Sequence, residues 1–367
     1  MSIINVMWSG GSPFTSVHKV HQQILSQTAP GASVKTWLLK DKAVTCLREI
    51  GEVRAWGLSS RLLKSRGIWV LAGPWMRGRF RKALVQSDAR LLLLDGLGVA
   101  RVLLPALRSL PHVRVVVVFH GATRLYAKDK RLFNGFSPEQ LTLCAVSKTL
   151  ADSIADNAQL PVVNLRCTLN LDAFKSRLLP RDQARQQLGI SASPAQVFGA
   201  VGRLVPTKGF DCLIEAFALT LERSPNRLLM IFGEGGERDA LQARIRTLGL
   251  QDKVLLPGHK SNIASLYRAF DWVLIPSRAE GLGLIVQEAV IAGVPILASD
   301  LPVFHEQLGQ AGHYVPVDDV QAWVAVIEST SSLVADDVAA HQYAVLAPEQ
   351  AWRCFSQACD EVLSARL

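Results

Sequence analysis

Residues 272 to 299 read WVLIPSRAEGLGLIVQEAVIAGVPILAS. A short apolar run ends at Pro276, a polar turn with two glycines follows, and a stretch with apolar residues at helical spacing leads through Gly293 and Pro295 into a second apolar run. Both outer runs are continuously apolar rather than alternating, which marks strands covered on two faces. Strand, loop, helix and strand in that order make a parallel pair with a crossover helix. Inside the unit, Glu280 and Glu288 stand eight residues apart. If the helix starts at or just after Glu280, this spacing of a little over two turns brings both carboxylates near one face.

The same grammar runs through the whole chain. Apolar runs INVMW, IWVLAG, RLLLLD, VRVVVVFH and LTLCAV alternate with helical segments from about Thr15, after Pro74, up to about Ser109 and from Ser147. In the second half QVFGAV, RLLMIF, KVLLP, DWVLIP and VPILAS alternate with helices expected from Gly209, from about Gly236, from Ser261 and after Glu280. This predicts an α/β protein of two doubly wound, Rossmann-like parallel-sheet domains facing across a cleft. The boundaries read as 1–167 for the first domain, 168–194 for a linker, 195–350 for the second domain and 351–367 for a C-terminal helix that can cross back to the first. The linker carries Pro180, Pro194 and the polar stretch RDQARQQLG, and it lies where the charge balance changes.

The chain has 367 residues, 49% of them hydrophobic and 19% charged, which places it among globular proteins of two domains or so and excludes a disordered one. No window reaches 18 consecutive apolar residues, so no spanning helix is expected. The start MSIINVMWSGGSP has neither a basic region nor a long apolar stretch, so a cytoplasmic location is expected rather than export. Cys46, Cys144, Cys167, Cys212, Cys354 and Cys359 include no C-x-x-C pair and read as packed thiols. Residues 1–177 hold 25 Lys and Arg against 10 Asp and Glu, a net +15, whereas residues 178–367 hold 15 against 21, a net −6. Arg77, Arg79, Arg81 and Lys82, and later Arg124, Lys128, Lys130 and Arg131, concentrate cations in the basic half. Such a half suits an anionic partner, of which a lipid headgroup or a phosphorylated glycan fits best; nucleic acid is not expected, because no nucleic-acid-reading signature accompanies the charge.

Doubly wound domains bind ligands where strands run out into helix N-termini. The loop after the first strand is SGGSP, with Gly10 and Gly11. After QVFGAV comes GRLVPTKG, which places Arg203 and Lys208 on one loop; after RLLMIF comes GEGG; after DWVLIP comes SRAEGLG. Two cations and a helix N-terminus at one sheet edge describe a diphosphate site. Glu288 can accept hydrogen bonds from a ribose diol and Glu280 from sugar hydroxyls, one carboxylate for each ring of a nucleotide sugar.

On these residues the chain resembles a known family. GRLVPTKGFDCLIEAF, FGEGG, the LPG before His259, and PSRAEGLGLIVQEAVIAGVPILAS, all between Gly202 and Ser299, are similar to the nucleotide-sugar domain of family 4 glycosyltransferases, which have the GT-B fold and retain anomeric configuration. The first half is similar more loosely, through the glycine loop, the HG at His120 and Gly121, AVSK at 145–148 and TLNLDAF. The resemblance implies that Arg203 and Lys208 hold the donor diphosphate, with Gly202, Gly233 and Glu234 on neighbouring donor loops. It implies that Glu280 contacts the donor sugar, that the backbone of Gly281, Leu282, Gly283 and Leu284 lies near sugar and phosphate, that Glu288 binds the ribose and that His259 lies near the base. His120 and the Gly10–Gly11 loop would reach the transferred sugar and phosphates from the other domain. Leu282 stands where an aromatic is more usual, and Ser12 and Pro13 are atypical after the glycine pair.

No Asp-x-Asp occurs in the chain, so the expected reaction uses no metal or other cofactor and meets the charge of the departing diphosphate with Arg203, Lys208 and helix N–H groups. The resemblance implies a retaining transfer from a nucleotide sugar, a UDP-sugar first, to a glycan or lipid-linked acceptor in lipopolysaccharide or exopolysaccharide assembly, at the cytoplasmic face of an anionic inner membrane. A nucleotide-sugar epimerase, a phosphorylase or a non-catalytic nucleotide-sugar-binding subunit are the alternatives. A dehydrogenase is disfavoured, since no G-x-G-x-x-G follows a strand directly and opens a helix.

Overall fold

The computed structural model describes residues 2–9, 15–40, 51–59, 66–190 and 196–364, for residues 15 and 66–72 the backbone alone. The chain divides into two compact units, Met1–Cys167 with Arg353–Leu367, and Thr168–Trp352.

The first unit is built on seven strands: β1 (Ser2–Met7), β2 (Ser33–Leu38), β3 (Glu52–Ala55), β4 (Leu91–Asp95), β5 (Arg114–Phe119), β6 (Leu141–Ala145) and β7 (Val162–Asn164). They form one sheet in the order β3-β2-β1-β4-β5-β6-β7, parallel throughout. Leu91 to Leu94 and Arg114 to Phe119 are buried at every position, as the unbroken apolar runs predict for strands with helices on both faces. The order reverses between β1 and β4, the position at which such sheets bind ligands. Ser147 caps the helix Lys148–Ala158, its hydroxyl accepting from the Leu150 N–H at 3.3 Å. Arg114 donates to the Val362 carbonyl at 2.7 Å and the Leu363 carbonyl at 3.3 Å, which ties the end of the helix Pro348–Ser364 to this unit.

The second unit carries β8 (Gln196–Val201), β9 (Arg227–Phe232), β10 (Val254–Gly258), β11 (Trp272–Ile275), β12 (Ile296–Ser299) and β13 (His313–Val315), in the parallel order β10-β9-β8-β11-β12-β13. Alternate residues of each strand feed two separate cores. Val197, Met230, Phe232, Val273, Ile275, Ile296 and Ala298 face one, with the helix Leu284–Ile291. Phe198, Ala200, Leu229, Ile231, Trp272, Leu274 and Leu297 face the other, with the helices Phe210–Thr220 and Val320–Ser329. A period of two with both faces apolar gives the continuous runs seen in the sequence.

Four expectations need revision. IWVLAG is not a strand: it lies in a helix, Arg66–Gln86, with Pro74 inside it. A six-residue apolar run fits either state, and the buried series Met76, Phe80, Ala83 and Leu84, at helical spacing, carries the helix back through the proline. The strands beside β1 are instead β2 and the wholly exposed edge strand β3, neither of which has an apolar run. Ser261 opens no helix; two 3-10 turns, Ile263–Ser265 and Tyr267–Ala269, occupy that stretch. Residues 168–190 of the expected linker are folded into the second unit, where Leu169, Phe174, Leu178 and Ala184 join its core and Arg185 donates to Asp271 at 3.0 Å. The helix after Glu280 begins only at Leu284, so Glu280 sits on a loop and shares no helix face with Glu288.

Gly199, in the middle of β8, leaves no room for a side chain, because a Cβ there would stand 2.5 Å from the buried Phe270 ring. Gly199→Ala is therefore expected to cost about 1–3 kcal/mol, the usual cost of overpacking, read as a lower urea midpoint at unchanged slope. An unchanged midpoint would show that Phe270 moves aside freely.

Candidate active site

Three loops at the carboxyl edge of the second sheet are joined by backbone hydrogen bonds. The Gly202 N–H donates to the Phe232 carbonyl at 2.9 Å, Leu204 N–H to Glu234 at 3.0 Å and Gly233 N–H to Gly258 at 3.0 Å. Gly233 has φ +142°, and a Cβ on it would lie 1.8 Å from the Gly202 carbonyl oxygen. A glycine is required there on both counts. Gly202 and Gly233 thus let the loops after β8 and β9 touch, whatever else they contact.

Lys208 ends a 3-10 turn, Pro206–Lys208, and its ammonium is ion-paired with the Glu280 carboxylate. Both side chains are largely covered, at 16% and 11% exposure. Ser277 donates its hydroxyl to the same Glu280 oxygen at 2.8 Å. Arg203, on the loop after β8, is exposed. Gly283, at φ +75°, is the N-cap of the helix Leu284–Ile291, so Gly281 and the buried Leu282 lead directly into its first turn. The sequence-predicted cluster of Arg203, Lys208, Glu280 and the Gly281–Leu284 backbone is therefore gathered at the end of β8 and β11, where the sheet order reverses. It offers two cations and the N–H groups of a helix start, a combination that suits an anion with several oxygens.

The remaining predicted residues are placed differently. Glu288 is buried, at 4% exposure, and accepts the Tyr267 hydroxyl at 2.7 Å. Burial, and then the Glu288 carboxylate, raise the tyrosine pKa well above its ordinary value. Glu234 is exposed and pairs with Arg238 at 3.0 Å, and His259 is exposed just beyond β10. Gly10 and Gly11, with Ser12 and Pro13, lie outside the described residues.

Sequence reasoning passed over Arg278. Its N–H donates to the Thr207 carbonyl at 2.8 Å, and its guanidinium reaches the Pro206 carbonyl, Asp211 at 2.8 Å and Asp318 at 2.7 Å. One side chain thereby fastens the Lys208 turn to the Glu280 loop. An arginine two residues before the first glutamate was the signal in the sequence.

In the first unit, His120 lies just past β5 at the rim of a cavity of about 420 Å³, together with Trp8, Asp95, Gly98, Phe119 and Thr123. Burial lowers its pKa to about 3, so the imidazole is neutral. Its Nε2 lies 3.1 Å from Nε2 of His21 and 3.8 Å from Asp95. His21, on the helix Thr15–Leu25, is fully buried, and its Nδ1 lies 2.7 Å from the Asn5 side-chain oxygen. Burial, then His120 and His18, push the His21 pKa well down. Asp95 is raised to about 6 by burial, against a lowering by the Trp8 N–H that donates to it at 3.2 Å. The signal for His21 in the sequence is Asn5, a polar residue inside the apolar run INVMW. None of the described cysteines forms a disulfide, and burial raises the thiols of Cys144, Cys167 and Cys359, the last to about 12.

The family model for glycosyl transferases group 1 matches residues 180–344. A relative, the lipopolysaccharide core biosynthesis mannosyltransferase LpsB of Rhizobium meliloti, is 29% identical over 234 residues, 60% of this chain and 64% of that protein. The alignment thus spans a little under two thirds of that relative. Among solved structures, a glycosyltransferase from Rickettsia africae superposes with a TM-score of 0.80 at 16% identity, over 100% of this chain and 99% of that one. Anabaena HepE, solved with UDP and glucose, does so with a TM-score of 0.78 at 21% identity over the whole of both chains. Residues 180–344 thus match the group 1 glycosyl transferase model, and the fold of the chain is the GT-B fold of these solved structures.

Arg278→Ala should leave the unit folded yet weaken nucleoside-diphosphate binding roughly tenfold, since small misplacements of a positioning loop carry penalties of that order and above. Calorimetric titration with UDP, GDP, dTDP and ADP checks this. Wild-type affinity for the best of them would show that the Lys208 turn keeps its place without the arginine.

Proposed function

We propose that this chain, a group 1 glycosyl transferase domain on a GT-B fold, is a retaining glycosyltransferase of family 4 that moves a sugar from a nucleoside-diphosphate donor to a hydroxyl of a glycan or lipid-linked acceptor. The observation that carries the reading is the covered Lys208–Glu280 pair beside the start of the helix Leu284–Ile291, within the matched segment. In the transfer the bond from the anomeric carbon to the diphosphate oxygen breaks, and the charge left on that oxygen is met by Lys208, Arg203 and helix N–H groups. The acceptor hydroxyl attacks on the same face and passes its proton to the departing phosphate oxygen. Glu280 holds the Lys208 ammonium and accepts from sugar hydroxyls. Neutral His120 contacts the transferred sugar, and Glu288 approaches the ribose when Tyr267 releases it. A UDP-sugar is the first donor to assay, since UDP is named for the Anabaena neighbour, and the name of the Rhizobium relative supports lipopolysaccharide core assembly as the setting.

Transfer assays with Arg203→Ala and Lys208→Ala are expected to lose about 10²–10³ in turnover, the loss typical of one removed donor to a developing anion, without unfolding. Wild-type activity should persist in EDTA, because the cations stand where other transferases use a metal. Wild-type turnover in either variant would overturn the diphosphate assignment, and loss on chelation that magnesium or manganese restores would overturn the leaving-group chemistry.

The acceptor side is proposed to work at an anionic membrane. No helix among the described residues is long and apolar enough to span one. The helix Arg66–Gln86 instead exposes Trp75, at 63%, and Val85, at 59%, among exposed Arg77, Arg79, Arg81 and Lys82. The Arg79 guanidinium lies 4.8 Å from the Trp75 ring and 5.6 Å from that of Trp56. Aromatic and cationic groups interleaved on one helix suit a headgroup layer, where each cation contributes about 1 kcal/mol. The protein should sediment with phosphatidylglycerol vesicles at low salt and leave them in about 0.5 M NaCl, where the Debye length is about 4 Å. Arg77→Glu, Arg79→Glu, Arg81→Glu and Lys82→Glu together should abolish this and spare donor binding. Equal sedimentation with neutral and anionic vesicles, or none with either, would leave the helix a solvated face.

A further inference from the structure

We propose that His21, Asp95 and His120 form a binding site for a divalent transition-metal ion of the zinc class. The three donors come from the helix Thr15–Leu25, the end of β4 and the residue after β5, and their ligand atoms lie within 4.8 Å of one another. The two imidazole Nε2 atoms are 3.1 Å apart. Nitrogens bound at the usual 2.0–2.1 Å to one ion stand about 2.9 Å apart at octahedral cis positions and about 3.4 Å apart in a tetrahedron, so the spacing of the histidine pair falls between the two, while the Asp95 carboxylate, 3.8 Å from His120 Nε2, must close on the ion to join them.

The surroundings prepare these atoms for an ion. The Asn5 side chain donates its amide to Thr36 Oγ1 at 3.3 Å, which turns its oxygen toward His21. That oxygen, 2.7 Å from Nδ1, requires the proton on Nδ1 and leaves a lone pair on Nε2 of a wholly buried ring. Metal-bound histidines are oriented by just this kind of bond from the far nitrogen. Asp95 supplies a covered carboxylate that no lysine or arginine pairs with among the described residues; its contacts are the Trp8 N–H and His120. A divalent ion would provide the missing positive charge. Asp95 and His120 both line the 420 Å³ cavity, which leaves a coordination position for water or a ligand. Two nitrogens and one carboxylate select zinc, nickel, cobalt or copper over magnesium.

The site belongs to the first unit and has no part in the diphosphate chemistry assigned to Arg203 and Lys208. One consequence rests on the proposed function: an ion on His120 Nε2 occupies the ring that is to contact the transferred sugar, so zinc should slow transfer and EDTA restore it. Zinc that binds at this site without slowing transfer would still support the site while removing His120 from the transfer step.

The test uses the full chain, free of any histidine tag and stripped with EDTA, titrated calorimetrically with ZnCl2 and followed by absorption with Co²⁺. About one ion per chain is expected, unchanged in Arg203→Ala and at least tenfold weaker in His21→Gln and in Asp95→Asn, with no binding of Mg²⁺. Should either variant fail to fold, His120→Gln, at the rim of the same cavity, decides: at least tenfold weaker Zn²⁺ binding supports the site, and unchanged binding overturns it. No stoichiometric binding, equal binding by the folded variants, or thiolate charge transfer placing the ion on cysteines would overturn the proposal.

Discussion

A side chain at position 233 would set its Cβ 1.8 Å from the Gly202 carbonyl oxygen, and one at 209 would set it 2.0 Å from that of Pro276. These two contacts measure how closely the loops at the carboxyl edge of the second sheet are drawn together. Because the backbones touch, the loops after β8, β9 and β10 share hydrogen bonds, and the Lys208 turn is fixed against the Glu280 loop. A cation and a carboxylate that a chain would normally leave in water are therefore kept in one covered place. The price in backbone freedom is met at glycines, which alone accept these conformations without strain.

Charge is handled differently in the two units. In the second, Lys208 and Arg278 are partnered by carboxylates, so the polar cluster is balanced before any ligand arrives. In the first, neutral histidines meet a largely covered aspartate without a cationic partner among the described residues, and the carboxyl holds its proton up to about 6. A covered carboxylate of that kind is costly unless something positive joins it. The contrast makes the first unit's cluster a place that lacks a counter-charge and the second unit's a place where charge is already paired.

The sequence was most readable where both faces of a strand are covered. RLLLLD, VRVVVVFH, RLLMIF and VPILAS all contain strands, their apolar residues being covered on both faces of the sheets. It was least readable where burial is partial. β2 and β3 were missed because an edge strand such as Glu52–Ala55 is exposed at every residue, and IWVLAG was misjudged because six apolar residues fit a helix equally well. The stretch from Ser261 has helical spacing but folds into two 3-10 turns, Phe270 and Tyr267 being drawn into the core.

For the site, local sequence determined which residues stand on which loop: Arg203 and Lys208 after β8, Glu280 after β11, His120 after β5. Those positions follow from strand ends, and strand ends follow from hydrophobic pattern and glycine. What only the tertiary structure decided is which of these side chains meet. Glu280 pairs with Lys208, 72 positions away, rather than with Glu288 across a helix face, and His120 finds His21, 99 positions away. Glu288 turned inward to Tyr267 because the helix starts four residues later than its spacing from Glu280 suggested. Pattern is a property of neighbours along the chain, whereas an ion pair depends on how sheet order brings distant loops together, and no local spacing encodes that order.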